Sequence, residues 1–383
     1  MAIIKPFKAL RPQAQLAKGV ASRPYDVLSS KEAKVEAQGN PISFLHVTKS
    51  EIYLPDSTDI YSPEVYQKAK ENLTAFIKRD VLFRENKECY YLYRLTMKDK
   101  SQTGLVCVSS VDDYENDVIK KHEFTRPQKE QDRINHITTT GAQTGNVFMA
   151  YRNVAEIDEL INLCKTKNPV YSFLADDGIE HTIWIVNDDA IIAAITKLFA
   201  EAVPSTYIAD GHHRAASAAK VRGALNKPNR EAADYFLTTL FPASQLHIMD
   251  YNRLVKDLNG FTPKQLLEKI SEDFVIEKKE NEKVKPSQEH QFGMYLDGCW
   301  YLLTAKENTF AKDAIGILDV SILQNNILGK WLGIKDARTD SRIDFVGGIR
   351  GLEELEQRVN NSEMKVAFSL FPVSIEQLFS VAD

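Results

Sequence analysis

Residues Cys89 to Met97 (CYYLYRLTM) alternate in polarity and are rich in Tyr and Leu, which predicts a strand. Similar short windows follow at Thr103 to Val111 (TGLVCVSSV), Val147 to Tyr151, Thr182 to Val186 (TIWIV), Tyr207 to Ala209 and Tyr235 to Phe241 (YFLTTLF). Between them lie helical patterns. One is expected near Ser29 to Gln38 and one from Pro63 to Lys78, with proline in the first turn. Asp188 to Phe199 reads as an amphipathic helix, and the run after Arg214 (AASAA) has the best helix-forming composition in the chain. Strands alternating with helices predict an α+β (mixed α/β) protein.

Beyond residue 250 the pattern continues in the same style. A helix is expected from Phe261-Thr262-Pro263 to about Asp273, and a hairpin over Met294 to Leu303 around Asp297-Gly298. A last helix, Gly351 to Val359, precedes a strand at Val366 to Leu370. The charged run Glu277 to Lys285 (EKKENEKVK) reads as a solvated hairpin or linker, since its acidic residues are interleaved with basic ones. No internal repeat is visible. The divisions expected are 1–98, 99–250 and 251–383, with the chemistry in the second.

Composition changes this picture little. A chain of 383 residues, 43% hydrophobic and 26% charged, is ordinary for a soluble globular protein of two or three domains. A net charge of −5 argues against duplex binding by phosphate neutralisation, though a local basic pocket remains compatible with it. No apolar run approaches the ~20 residues that cross a bilayer. Met1 to Pro6 has no signal-peptide h-region, so no membrane partner and a cytoplasmic location are expected. Cys89, Cys107, Cys164 and Cys299 are scattered without CxxC spacing, the pattern of reduced thiols.

The densest chemistry is Tyr207 to Arg214 (YIADGHHR). An apolar strand end, an Asp-Gly turn and an Ala-rich helix leave helix N–H groups and the positive dipole end pointing outward, a site suited to phosphate. A polar turn that merely caps its helix needs one side chain; this one carries Asp210, His212, His213 and Arg214. In the functional reading Arg214 and the backbone N–H groups hold a phosphate, one imidazole donates or acts as acid, and Asp210 binds magnesium or orients an imidazole.

A second cluster runs from Lys120 to His136 (KKHEFTRPQKEQDRINH). It places His122-Glu123 at a strand end and a helix, capped near Thr125, that starts with Pro127. On that helix Lys129, Asp132, Arg133 and His136 share one face. A charged solvent face explains such a run equally well. The zinc signature HExxH is absent, because residue 126 is Arg. Two loops, Arg23-Pro24-Tyr25-Asp26-Val27 and Arg342 to Gly351 (RIDFVGGIRG), read as structural turns or as site loops. The second is neither a Walker sequence nor a dinucleotide fingerprint, and no GxSxG elbow or catalytic-cysteine signature occurs.

Taken together, SRPYDV, KKHEFTRPQKEQDR, YIADGHHRAASAA and RIDFVGGIRG resemble the bacterial domain-of-unknown-function family one thousand and fifteen, from Lys5-Pro6-Phe7 to the end of the chain. Through the DGHHR turn and the upstream HE, that family resembles the ParB/sulfiredoxin-like superfamily of free-serine kinases, CTP-binding partition proteins and sulfiredoxin. The resemblance implies a ParB/sulfiredoxin-like central domain with flanking α/β regions. It also implies a further C-terminal segment rich in Pro and Lys, with a Trp. Glu123 falls where the similar serine kinases carry a catalytic glutamate, and Asp210, His212, His213 and Arg214 fall on the nucleotide-phosphate motif.

The expectation is therefore a kinase that transfers phosphate from ATP or ADP, with Mg2+, to the hydroxyl of free L-serine. Glu123, His122, Asp210 and His213 are its candidate catalytic residues. Gly211, His212, His213, Arg214, Arg126 and Arg133 are candidates for holding the nucleotide, and Asp210 for the metal. The partners expected are a nucleotide and a small amino acid, with no nucleic acid, and a homodimer is compatible with the sequence. A nucleotide-gated binding protein of the partition-clamp type stays open as an alternative. So does a metal-dependent phosphohydrolase or nuclease built on His122, Asp210 and His212. A sulfiredoxin-like reductase is excluded, because the turn holds His where that chemistry needs Cys.

Overall fold

Two α+β units, Met1–Leu246 and His247–Asp383, make up the computed structural model. It describes the whole chain except residues 123, 124, 226–229, 247 and 281 and the side chain of residue 349.

The first unit is built on nine strands: β1 (Ile4–Lys5), β2 (Tyr90–Met97), β3 (Lys100–Ser110), β4 (Ile119–Lys120), β5 (Val147–Tyr151), β6 (Tyr171–Leu174), β7 (Glu180–Val186), β8 (Thr206–Asp210) and β9 (Tyr235–Pro242). They lie in the order β4-β8-β5-β9-β3-β2-β7-β6, with β1 alongside β3. The pairs β4/β8 and β5/β9 are parallel and the others antiparallel. Its main helices are α1 (Ser30–Glu36), α2 (Pro63–Lys78), α3 (Pro127–Thr140), α4 (Ala155–Lys165), α5 (Asp189–Ala202) and α6 (His212–Ala224).

Local chemistry accounts for these boundaries. Ser29 and Glu32 form a capping box at α1, Pro63 opens α2, and Asp188 accepts the N–H groups of Ala190 and Ile191 at the head of α5. Alternate residues of the strands (Leu92, Leu105, Cys107, Met149, Ile208, Phe236 and Leu240) bury against Ile157 and Ile161 of α4, Ile195 and Phe199 of α5, and Ala215 and Ala218 of α6. Each large side chain so buried stabilises the fold by roughly 1.5–3 kcal/mol before entropy is counted. A smaller core of Val20, Val47, Leu73, Phe76, Val81 and Leu82 fixes α2 and the N-terminal segments.

The division expected at residue 98 does not separate two bodies. Tyr90–Met97 and Lys100–Ser110 form one hairpin, with Met97 opposite Lys100, and both are central strands of the first unit. Main-chain hydrogen bonds tie the expected N-terminal region to the expected core.

In the second unit six antiparallel strands lie in the order Phe274–Lys279, Cys299–Ala305, Gln291–Leu296, Val366–Leu370, Tyr251–Val255, Ile343–Gly347. The hairpin at Asp297-Gly298 forms as expected, both residues having positive φ (51° and 74°). The charged run is different. Glu277 to Lys279 belong to the edge strand Phe274–Lys279, where charges protect an open edge. The RIDFVGGIRG segment is the strand Ile343–Gly347, a 3-10 turn and the start of the helix Gly351–Asn360. The last helix is not that one but Ile375–Ala382, opened by a Ser374/Gln377 capping box. All four cysteines are free, and no helix among the described residues is long and apolar enough to cross a membrane.

Candidate functional site

Strand β8 ends at Asp210, Gly211 takes a left-handed conformation (φ 97°), and α6 begins at His212. A side chain at 211 would be strained there, and its Cβ would lie 3.1 Å from the Cζ and Nε atoms of Arg214. The small residues Ala215, Ala216, Ser217 and Ala218 are buried, which lets α6 lie close to its neighbours. The Ser217 hydroxyl sits 2.6 Å from the carbonyl of His213 and 3.1 Å from that of Glu130, joining α6 to α3.

The Arg214 guanidinium, mostly buried, ties three segments together. Its Nη2 lies 2.5 Å from Asp210 Oδ2 and 3.5 Å from Asp26 Oδ2, and its Nη1 donates to the carbonyl of Asn146. Asp210 does not cap α6; its carboxylate turns to this guanidinium.

Because β4 runs parallel to β8, with Ile119 opposite Thr206 and Lys120 opposite Tyr207, the segment after β4 is delivered to the same turn. The His122 and His212 rings pack edge to face at 4.6 Å. The N–H of His122 points at His212 Nε2 at 3.5 Å, and the N–H of Arg126 donates to His213 Nε2 at 2.8 Å. Both imidazoles therefore present an acceptor to this segment, which requires the ring proton on Nδ1. Burial, then the neighbouring His122, pushes His212 down to about 4, so it is neutral at pH 7.

Helix α3 starts at Pro127 with Arg126 as N-cap, not Thr125. The Thr125 hydroxyl instead donates to Glu130 Oε2 at 2.7 Å, and Glu130 pairs with Lys220 of α6. Burial pushes the Glu130 carboxyl up, but Lys220 and Thr125 outweigh it and hold it below the ordinary range.

The face of α3 foreseen as charged is a solvent face only at Lys129, which is exposed. Arg133 and His136 are buried, and all four of Lys129, Asp132, Arg133 and His136 line a cleft of about 630 Å³. Arg133 stacks over the Tyr25 ring, 3.9 Å from its centroid, and donates to Asp132 at 2.7 and 2.9 Å. Tyr66 of α2 donates to the other oxygen of Asp132 at 2.9 Å. His136 Nε2 meets the carbonyl of Val47 at 3.1 Å, and burial, then Arg133, lowers its pKa to about 4. The opposite walls come from residues 24–28 and 47–51, from Ile60 and Tyr61, and from α2; the floor includes Asp210 to Arg214.

The structure thus brings Asp210, Gly211, His212, His213, Arg214 and Arg133 to one cleft, with His122 and the Arg126 backbone against the turn. The Arg126 side chain is exposed. Glu123 lies outside the described residues. Among those described, no three His, Cys, Asp or Glu side chains form a metal-ligand group. The set His122, Asp210 and His212 does not converge as a metal group: two of its members pack edge to face, and the third is paired with Arg214. The residues not foreseen as site members are Tyr25, Asp26, Lys49, Glu51, Tyr66 and Asn146. The proline loop SRPYDV signalled the first two; no local pattern marks the others.

One family model, described as a protein of unknown function (DUF1015), matches residues 4–321, a span that contains every residue of the cleft. No curated protein and no solved structure matches the chain.

Proposed function

The chain belongs to the DUF1015 family of proteins of unknown function, and from that footing we propose that its first unit is a phosphotransferase, moving a phosphoryl group from ATP or ADP to the hydroxyl of free L-serine. The observation that carries this reading is the strand–Gly211–helix turn opening on a cleft of about 630 Å³. The first N–H groups of α6 and its dipole favour an anion, and a residue without Cβ lets phosphate approach the backbone. Lys129 adds positive charge along the same cleft, where Arg133 is paired with Asp132. The likeness of the two motifs to ParB/sulfiredoxin-like serine kinases supports the choice of nucleotide and of L-serine.

Asp26 and Asp210 are the carboxylates nearest the turn, but both are turned to Arg214, so they would hold Mg2+ only once released from it; when bound, the ion would neutralise phosphate charge. In the reaction the serine Oγ forms a bond to the transferred phosphorus while the bond to the departing ADP or AMP breaks. The hydroxyl proton passes to a carboxylate, for which the resemblance nominates Glu123. His212, neutral and buried, positions the segment after β4 and does not serve as an acid. A phosphotransferase of this kind works in a nucleotide-rich compartment, which we take to be the cytoplasm.

The test is phosphate transfer itself. The full chain is incubated with Mg2+, ATP or ADP and a panel of hydroxyl compounds, and products are read by mass, with Glu123→Gln as control. O-phospho-L-serine that vanishes with Glu123→Gln supports the reading. Nucleotide binding without any phosphorylated product overturns it in favour of a nucleotide-gated binding protein.

A further inference from the structure

The wall of the cleft formed by residues 47–51 carries an ion pair that the phosphate chemistry does not use. Lys49 Nζ lies 2.9 Å from Glu51 Oε1, and the side chains are only 12% and 9% exposed. Ser30 of α1 donates to the same Glu51 oxygen at 2.8 Å. The backbone bearing the pair is held from several sides. Asn72 of α2 donates to the carbonyl of His46 at 2.6 Å, Ser50 Oγ donates to that carbonyl at 2.7 Å, and His136 of α3 meets the carbonyl of Val47. The same cleft is lined by the apolar Leu28, Val47, Val65 and Ala69 as well as by polar groups.

From this arrangement we propose that Lys49 and Glu51 form the headgroup site for a zwitterionic α-amino acid. The inference deepens the phosphotransfer reading and rests on it for the reaction that follows binding. A largely desolvated ion pair adds little stability of its own. Fixed polar groups set among apolar ones are, however, what orients a small ligand. The ammonium and carboxylate of an α-amino acid flank one carbon, so the two charges of a contacting Lys–Glu pair can meet both at once, carboxylate to Lys49 and ammonium to Glu51. The two parts of the cleft then have different characters. The α6 end offers a helix N-terminus and suits phosphate, while the residue 49–51 wall is charge-balanced and suits a dipolar ion. A hydroxy acid would leave Glu51 unanswered and an amino alcohol would leave Lys49 unanswered, so both are selected against.

The experiment is calorimetric titration of the full chain with L-serine, 3-hydroxypropionate (no ammonium) and ethanolamine (no carboxylate). Wild-type protein should bind L-serine at least about ten-fold more tightly than either analogue, the worth of one charge-assisted contact. Lys49→Met should lose about ten-fold in L-serine affinity and spare ethanolamine, while Glu51→Gln should do the same and spare 3-hydroxypropionate. Lys49→Arg and Glu51→Asp, which keep the charges, should retain more affinity than the neutral variants, and thermal melts identify any variant that fails to fold. The proposal is overturned if wild-type protein binds no α-amino acid, or if folded neutral variants bind all three ligands alike. Affinity that follows the two residues with no phosphoserine formed keeps this site and removes the phosphotransfer reading. Phosphoserine formed with affinity indifferent to both residues removes this site and keeps that reading.

Discussion

The Nε2 atom of His213 accepts the backbone N–H of Arg126 at 2.8 Å, so a side chain of the turn after β8 closes off a backbone donor just ahead of helix α3. With His212 receiving the N–H of His122, two successive imidazoles latch one segment to the helix N-terminus. Replacing His213 by Ala leaves the Arg126 N–H to water and should cost about 1 kcal/mol. Hydrogen exchange would show it as faster exchange at the start of α3, with the strands unchanged. Unaltered exchange there would mean that the latch holds nothing.

Gly211 holds a backbone conformation that a side chain strains. Gly211→Ala places a left-handed residue at φ 97° with its Cβ against the Arg214 guanidinium. A loss of about 1–2 kcal/mol in unfolding free energy is expected, together with weaker nucleotide binding. Chemical denaturation and nucleotide titration read the two effects separately.

Arg214 joins Asp210, Asp26 and the Asn146 carbonyl. Arg214→Met leaves two partly exposed carboxylates without their shared cation, at a cost of about 1 kcal/mol. The double change Arg214→Met with Asp26→Asn should recover part of that loss by removing one uncompensated charge. If the double variant is less stable than the single one, the charge argument is wrong.

Acid should weaken the first unit through its buried histidines. His136 and His212 titrate near 4 in the folded chain against 6.5 ordinarily, burial being the main cause in both. Between those values the unfolded chain binds protons that the folded one refuses. Their contribution is complete above pH 6.5 and is lost as pH falls toward 4. Urea midpoints at several pH values across that window would show the decline, and His136→Gln should flatten it.

The second unit carries a group of opposite sense. Burial raises the Asp319 carboxyl to about 6 from 3.8, although it accepts the His290 N–H at 2.8 Å. Its other oxygen is buried with no hydrogen-bond partner among the described residues. The folded form holds a proton that the unfolded chain releases, so this stability is full below pH 3.8 and is lost as pH rises through 6. Asp319→Asn should stabilise the unit by about 1 kcal/mol above that pH. Hydrogen exchange in the strand Gln291–Leu296 reports it, and a destabilised variant at pH 7.5 would reverse the assignment.

Much of this fold is local in origin and could be read from the chain. Pro63 and Ser29 mark helix starts, Asp297-Gly298 marks a hairpin, and YIADGHHRAASAA specifies strand, left-handed turn and helix with Gly211 between them. The shared face of Lys129, Asp132, Arg133 and His136 follows from helical spacing alone. Each of these depends on residues a few positions apart, whose dihedral and hydrogen-bonding preferences are set before any distant contact forms.

Where that face points was not a local matter. A charged stripe on α3 satisfies solvent as well as it satisfies a cleft, and only Tyr25 and Tyr66, tens of residues away, decide that Arg133 and Asp132 are enclosed. The same holds for Arg214, whose sequence suits a phosphate ligand but whose partners Asp26 and Asn146 arrive from other segments. It holds again for the hairpin that spans residue 98 and for Lys49 and Glu51, which no motif marks. The sequence by itself determined the elements and the chemistry available at the turn. Tertiary structure alone decided which side chains that chemistry meets, because burial and long-range pairing set each charge's solvation and partner, and neither is encoded in spacing along the chain.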